Sequence, residues 1–300
     1  ENVDALHRST RDATLLAFGI RHVRVTLQDP AAPDNRRLSL DEHGRALHHY
    51  QDLADALQQN HRLALGDHEL AVSATATAIE NTIKDFDEPS MLLSLSMKDD
   101  VDRFTVGHSV RVALLALQVA RAMGASREQL VHIGGAALMH DIGKSKVPQE
   151  VLFKQGRLTK EEWQWMAQHP RLGAQILIEQ HESVDPRTIG AAFCHHMGPN
   201  GGGYPEPLMP TPPSATSRLI RVCDVFEALT AVRPYKRAVT PIEAFAIMFR
   251  NEQDFDPRWL RRFVKTLGLF PVGTRVQLQD GSDAVVIKQT GDITKPNVHL

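Results

Sequence analysis

The sequence of 300 residues is poor in cysteine and has no long apolar run. Its two cysteines, Cys194 and Cys223, cannot build a disulfide framework, so a reducing compartment is the default. No apolar stretch approaches the ~20 residues that cross a bilayer, and no signal-peptide pattern opens the chain. Neither sign of charge dominates, because the sequence has 34 basic and 36 acidic residues. This balance excludes binding to nucleic acid through bulk positive charge. We expect a cytoplasmic protein with no membrane span and no DNA or RNA partner.

Histidine is the residue that the sequence has in quantity, with 15 copies. Imidazole is the commonest metal ligand in proteins. In the second half of the chain, imidazoles and carboxylates interrupt otherwise apolar helical segments at His108, His140, Asp141, His169, His195, His196 and Asp224. One such group alone would most often be a hydrogen-bonded structural residue, because burying it without a partner is costly. Seven together predict a site for two adjacent divalent ions such as Fe, Mn, Ni or Zn, rather than Mg or Ca alone.

The spacing of apolar residues predicts a mainly helical chain. Helical periodicity covers residues 46–57 and 67–86, and helices that are more apolar follow from residue 105 onward. Alternation near Val25 predicts a short strand, and a turn at Asp280-Gly281 between apolar stretches predicts a C-terminal β-hairpin. We divide the chain into a small α+β accessory region with a hypothetical sensory role (1–66), a helical connector (67–97), a catalytic domain (98–270) and the appended hairpin (271–300).

Three motifs carry a resemblance to a known family. His140-Asp141-Ile142-Gly143-Lys144, the pair His195-His196 and the triplet Gly203-Tyr204-Pro205 resemble the HD-GYP branch of the HD-domain phosphohydrolases. Segments around His108, His169 and Asp224 agree, and the resemblance covers about residues 98–290. It implies an HD-domain helical bundle whose metal centre hydrolyses a cyclic dinucleotide, typically cyclic di-GMP, to linear pGpG or to GMP. It also implies that the seven residues above are the metal ligands, with Asp141 bridging two ions.

The resemblance also implies roles for residues around the ions. Two cations neutralise an anionic phosphodiester and lower the pKa of a bridging water toward ~7, so that the resulting hydroxide can attack phosphorus. Lys144, one helical turn past His140, is placed to contact a phosphate oxygen or to protonate the leaving group. Tyr204, Arg233 and Lys236 are expected to contact the phosphates and guanines of the ligand. Asp141 and Lys144 are therefore the candidate catalytic residues.

Two departures from the family pattern bear on activity. Met197 stands where members usually carry Glu, and Phe104 stands where members with three metals carry Glu. The first departure removes support for a ligand, and the second favours a two-metal site. An alternative function is a weak or inactive cyclic-dinucleotide receptor that signals through a partner protein, and mixed cyclic GMP-AMP is an alternative substrate. Whether the chain forms a homodimer stays open.

Several other residues receive plainer interpretations. His43, His48, His49, His61 and His68 are expected on solvated helix faces rather than in a second metal cluster. Trp163 and Trp165 are expected to be core and surface aromatics rather than a stacking platform. Cys194 and Cys223 are expected to be small buried thiols without a redox role.

Overall fold

The computed structural model describes residues 24–25, 40–85, 105–180, 182–207, 211–231 and 238–300. The α-helices of this part are α1 (Leu40–Leu65), α2 (Val72–Asp85), α3 (Val106–Ala122), α4 (Arg127–Met139), α5 (Gln149–Leu152), α6 (Lys160–Met166), α7 (His169–Ile178), α8 (Pro186–Cys194), α9 (Ala215–Thr230), α10 (Pro241–Arg250) and α11 (Pro257–Leu267). Two 3-10 segments, Ile142–Lys146 and Glu252–Asp254, interrupt them. Within the described ranges, every helix is too short or too polar to span a lipid bilayer.

Helix α3 forms the centre of the bundle, because it is apolar on nearly every face and, apart from Arg111, is buried from Gly107 to Ala120. It packs against α1, α4, α9 and α11. The rings of Phe226 of α9 and Phe245 of α10 stack on each other, and Phe263 of α11 meets both of them edge-on. The prediction of a mainly helical bundle is therefore confirmed.

A small antiparallel sheet completes the fold. Its strands are β1 (Arg24–Val25), β2 (Arg275–Gln277), β3 (Asp283–Lys288) and β4 (Asn297–His299), hydrogen-bonded in the order β1-β2-β3-β4. The predicted hairpin is confirmed as β2 and β3, which pair Val276 with Ala284 across the turn that contains Gly281. The structure extends this hairpin on both sides, with β4 on one edge and the N-terminal β1 on the other.

Helices α1 and α2 share the hydrophobic core of the bundle. Leu53 and Leu57 of α1 and Ile79 of α2 are completely buried in the same cluster as α3 and α4. The buried Asn60 joins the two helices, because its amide donates to Thr75 Oγ1 (2.9 Å) and its carbonyl accepts from Ala71 N (2.8 Å). The domain boundaries at residues 66/67 and 97/98 stay predictions. The helices on either side of them share one hydrophobic core.

Candidate metal centre

Helix ends position most of the candidate ligands. A capping box between Ser126 and Gln129 starts α4, which ends at Met139, so that His140 and Asp141 follow directly. Helix α7 begins at His169, and α8 ends at Cys194, immediately before His195 and His196. The two remaining candidates, His108 and Asp224, lie inside α3 and α9, which pack side by side. Residues from five helices therefore meet in one place.

The Asp141 carboxylate lies at the middle of this cluster, and its two oxygens face different imidazoles. Oδ1 lies 3.2 Å from His169 Nε2 and 3.6 Å from His195 Nε2. Oδ2 lies 3.4 Å from His140 Nε2 and 3.7 Å from His108 Nε2. Asp141 thus has the geometry of a bridge between two sets of nitrogen atoms.

The candidate ligands form two groups whose atoms lie within 4.8 Å of one another. One group contains Asp141, His169, His195 and His196, and the other contains His108, His140 and Asp224. In the second group His108 Nε2 lies 3.1 Å from Asp224 Oδ1. Each group offers mixed imidazole and carboxylate donors, the set that suits Fe, Mn, Ni or Zn.

Backbone carbonyls fix the orientation of three of these imidazoles. The Nδ1 atoms of His140 and His169 lie 2.7 Å from the carbonyl oxygens of Ala137 and Met166, and His195 Nδ1 lies 2.9 Å from that of Ala192. Because a carbonyl only accepts, Nδ1 must carry the proton and Nε2 presents a lone pair to the centre.

The distances between these acceptor atoms show whether the residues can hold a cation. His169 Nε2 and His195 Nε2 lie only 3.1 Å apart, and both also face Asp141 Oδ1. His140 Nε2 and Asp141 Oδ1 are buried without a hydrogen bond among the described residues. Acceptors that face acceptors in a buried place repel one another unless a cation lies between them. The donor set therefore fits bound divalent metal ions.

The electrostatics of the cluster agree with this fit. Burial would raise the pKa of Asp141, but Lys144, His140 and His169 outweigh it and hold that pKa well below its usual value. Burial lowers the pKa of His195 well below its usual value and lowers that of His196 to about 3. The carboxylate is thus ionised and these imidazoles are neutral near pH 7, which are the forms that bind a metal.

Glu227 belongs to the centre although the sequence reasoning missed it. His108 Nδ1 donates to Glu227 Oε2, and Glu227 Oε1 accepts from Arg111 Nε at 2.6 Å. Burial would lower the pKa of His108, but Glu227 and Asp224 outweigh it and raise that pKa to about 9. The available signal was helical spacing, since Glu227 lies one turn after Asp224 and Arg111 one turn after His108.

Lys144 and Tyr204 border the same cluster. Lys144 Nζ donates to Asp141 Oδ2 at 2.5 Å and stays partly exposed. The Tyr204 ring stacks on His196 with 4.6 Å between centroids and meets Trp163 edge-on at 5.5 Å. Trp163 and Trp165 are 48% and 50% exposed, so the expectation of a core tryptophan here is wrong. The exposed Trp163 instead extends the aromatic edge of the centre.

The loop before Tyr204 is shaped by Gly203, which forms a β-bridge with the buried Met197. Gly203 has a φ of 101°, and a Cβ built on it would lie 2.3 Å from the carbonyl oxygen of His196. Only glycine fits both requirements. The loop therefore returns tightly onto the His195-His196 pair and places Tyr204 above it.

The remaining sequence predictions have mixed outcomes. The structure brings all seven candidate ligands together with Lys144 and Tyr204, whereas Arg233, Lys236 and Phe104 lie outside the described residues. Cys223 is buried as expected, whereas Cys194 is only half-buried. Burial raises the pKa of both thiols, consistent with unreactive side chains.

The N-terminal histidines also differ in outcome. His48 and His68 are exposed, as expected, but His49 and the Nε2 atom of His61 are buried, so the expectation of a solvated face is wrong for these two. His43 lies outside the residues whose side chains the structure describes. Among the described side chains, His48, His49, His61 and His68 form no metal-binding group of their own.

Comparison with known proteins agrees with the geometry. Residues 95–259 match the family described as the HD domain. The chain is 34% identical over 264 residues to a cyclic di-GMP phosphodiesterase of Pseudomonas aeruginosa, covering 87% of this chain and 64% of that protein. It is 36% identical over 183 residues to the 3'3'-cGAMP-specific phosphodiesterase 3 of Vibrio cholerae, covering 60% of this chain and 39% of that protein.

A solved structure shows the same fold. An HDG"Y"P protein of Bdellovibrio bacteriovorus, Bd1817, superposes with a TM-score of 0.61 at 16% identity, covering 77% of this chain and 73% of that one. A helical bundle with a histidine and aspartate cluster of this kind defines an HD-domain protein. The chain belongs to the HD-domain family, and its motifs assign it to the HD-GYP branch.

Proposed function

We propose that the chain is a metal-dependent phosphodiesterase that opens a cyclic dinucleotide, with cyclic di-GMP as its substrate. The observation that carries the proposal is the Asp141 carboxylate, whose two oxygens face two separate groups of ligands. This arrangement suits two adjacent divalent ions, for which we propose Fe or Mn. The names of the Pseudomonas and Vibrio relatives support the substrate class.

The chain's own residues would divide the work as follows. Bound metal ions would neutralise phosphate oxygens and make a water nucleophilic near neutral pH. Asp141 and the imidazoles hold the ions, and Glu227 keeps the His108 ring oriented. Lys144 is partly exposed beside Asp141 and can bind a phosphate oxygen or donate a proton to the leaving 3' oxygen. Tyr204 offers a ring face and a hydroxyl at the mouth of the centre.

The test is hydrolysis of cyclic di-GMP by full-length chain loaded separately with Fe, Mn, Ni or Zn. We expect turnover with Fe or Mn and a metal-to-chain ratio of about two by elemental analysis. Chromatography of the products distinguishes linear pGpG from GMP. An Asp141→Ala variant that turned over as fast as the wild-type chain would contradict the proposal.

A second candidate is a cyclic-dinucleotide receptor, which Met197 favours. Its thioether is buried where family members usually carry a carboxylate, so it offers no strong acceptor near the ligand histidines. Tight binding of cyclic di-GMP without turnover by any of the four metal-loaded forms would favour the receptor. Activity on mixed cyclic GMP-AMP is suggested by the Vibrio relative, and comparison of kcat/KM for the two dinucleotides decides between them.

A further inference from the structure

His61 lies on α1, outside residues 95–259 that match the family, yet α1 packs against the Ile142–Lys146 turn that follows Asp141. Lys146 fastens this contact, because its Nζ donates to the carbonyl oxygen of Leu65 (3.2 Å) and to Asp67 Oδ1 (2.6 Å). His61 lies one helical turn before Leu65. The C-terminal part of α1 that carries both residues therefore lies against the turn that contains Lys144.

The Nε2 atom of His61 is buried and has no hydrogen-bond partner among the described residues. The preceding residue provides a contrast, because every polar side-chain atom of Asn60 is satisfied by Ala56, Ala71 or Thr75. An unsatisfied buried polar atom costs about 1–3 kcal/mol, so a partner that is bound during function is one explanation for it.

The charges of Asp141, Lys144 and His140 act on the His61 imidazole. Burial lowers the pKa of His61 to about 4, while Asp141 raises it and Lys144 and His140 lower it further. The imidazole is therefore neutral near pH 7 and has one N–H group to donate. Its nitrogens belong to neither group of candidate ligand atoms, which argues against a role as a metal ligand.

We propose that His61 is a further substrate-binding residue, whose Nε2–H donates a hydrogen bond to an oxygen of a phosphate group held beside Lys144. The proposal rests on the proposed function in that a phosphodiester is the anion expected at this place. A cation and a neutral donor beside each other recognise a phosphate without adding a second positive charge near the metal ions. The contact would connect the N-terminal helix with the ligand.

The test measures binding of inorganic phosphate to the full-length, Mn-loaded chain by calorimetry. His61→Leu removes the donor, His61→Gln restores one, and His48→Leu changes an exposed histidine on the same helix. We expect His61→Leu to weaken phosphate binding about tenfold, the effect of losing one hydrogen bond to a charged group. His61→Gln should recover most of the affinity, and His48→Leu should bind like the wild-type chain with unchanged metal content.

A second readout does not depend on any variant. In the Zn-loaded chain, long-range 1H–15N spectra should show that the His61 Nε2 signal shifts when inorganic phosphate is added, while the His48 signal does not. Unchanged phosphate affinity in His61→Leu, a loss of metal in that variant, or a His61 signal that ignores phosphate would each overturn the proposal. If the leucine variant does not fold, the glutamine variant and the spectra decide.

Failure of this inference and failure of the proposed function are distinguishable, because phosphate binding needs no turnover. If phosphate binding depends on His61 but the chain leaves cyclic di-GMP intact, the proposed phosphodiesterase function is wrong and the proposed role of His61 stands. If His61→Leu hydrolyses cyclic di-GMP with unchanged KM and unchanged phosphate affinity, the proposed function stands and the proposed role of His61 is wrong.

Discussion

Asp141 is the residue on which both ligand groups depend. Each of its oxygens faces two imidazole nitrogens, so its negative charge is shared between the two proposed metal positions. Its low pKa keeps that charge throughout the physiological range. Lys144 contacts the same carboxylate but is partly exposed and belongs to neither group of candidate ligands, so the two motif residues have separable roles.

The first prediction compares these two residues. We expect Asp141→Ala to lose metal and activity together, because it removes the only proposed bridge between the groups. Lys144→Ala should keep its metal and slow hydrolysis about 10²-fold or more, the usual contribution of a positioned acid. Elemental analysis and kcat measured on the same preparations check both expectations. Full metal content in Asp141→Ala would contradict the bridging role.

The second prediction concerns Glu227, a positioning residue that acts through His108. Glu227→Gln should weaken metal binding about 10–100-fold, because the variant amide no longer orients and polarises the imidazole as a carboxylate does. Competition with a chelator measures the metal affinity, and Glu252→Gln, which alters an exposed glutamate, serves as the control.

A pH dependence follows from the same contact in the metal-free chain. The raised pKa of His108 means that its ion pair with Glu227 stabilises the fold below about pH 6.5, the unfolded value. This stabilisation is lost as the pH rises through about 9, the folded value. Urea unfolding at pH 6 and pH 10 should show this loss in the wild-type chain and a smaller one in Glu227→Gln. An equal loss in both would show that another group titrates.

At the scale of elements, close backbone contacts hold the ligand-bearing segments together. A Cβ built on Gly143 would lie 2.0 Å from the carbonyl oxygen of His169, so glycine alone lets the Ile142–Lys146 turn approach α7. Gly203 plays the same part for the loop that carries Tyr204. The glycines at positions 143 and 203 are thus required by close backbone packing, and Gly203 also by its positive φ.

The third prediction separates steric contact from backbone strain in that loop. Gly203→Ala meets both a φ of 101° and the carbonyl of His196, whereas Gly201→Ala meets a φ of 83° with open space around it. We expect Gly201→Ala to cost about 1 kcal/mol of stability and Gly203→Ala distinctly more, with a raised KM because Tyr204 is displaced. Thermal unfolding and steady-state kinetics measure the two effects, and equal effects would contradict the steric argument.

Local signals in the sequence were enough for the helices that begin with capping boxes, such as those at Ser126 and Thr159. The same kind of signal was present for α11 but was not used, since Asp256 and Pro257 begin the helix and Leu260, Phe263, Val264 and Leu267 recur at helical spacing. The clustering of the candidate ligands was predictable because polar residues stood out in apolar helices. Helical spacing places Glu227 one turn after Asp224, but its partner His108 is 119 positions away and could not be identified from the sequence. The proposed role of His61 was not predictable, because its helix lies outside the residues that match the family.

At the scale of the whole molecule, one hydrophobic core joins the N-terminal helices to the bundle that holds the candidate metal ligands. Ile79 of α2 sits directly on Gly134 of α4, where an added Cβ would lie 2.8 Å from the isoleucine side chain. Helix α4 in turn ends at His140 and Asp141. Packing of this kind couples the stability of residues 40–85 to the geometry of the centre.

The fourth prediction tests that coupling with two leucines of α1. Leu57 is fully buried and Leu47 is 45% exposed, so Leu57→Ala should lose about 2–5 kcal/mol of stability and Leu47→Ala much less. If the core is shared, helix content by circular dichroism and release of metal should follow one transition, and Leu57→Ala should move both. An independent accessory region ending at residue 66 requires two transitions instead. In that case the variant would lower one of them and leave metal release unchanged, because a cavity in one cooperative unit does not weaken another.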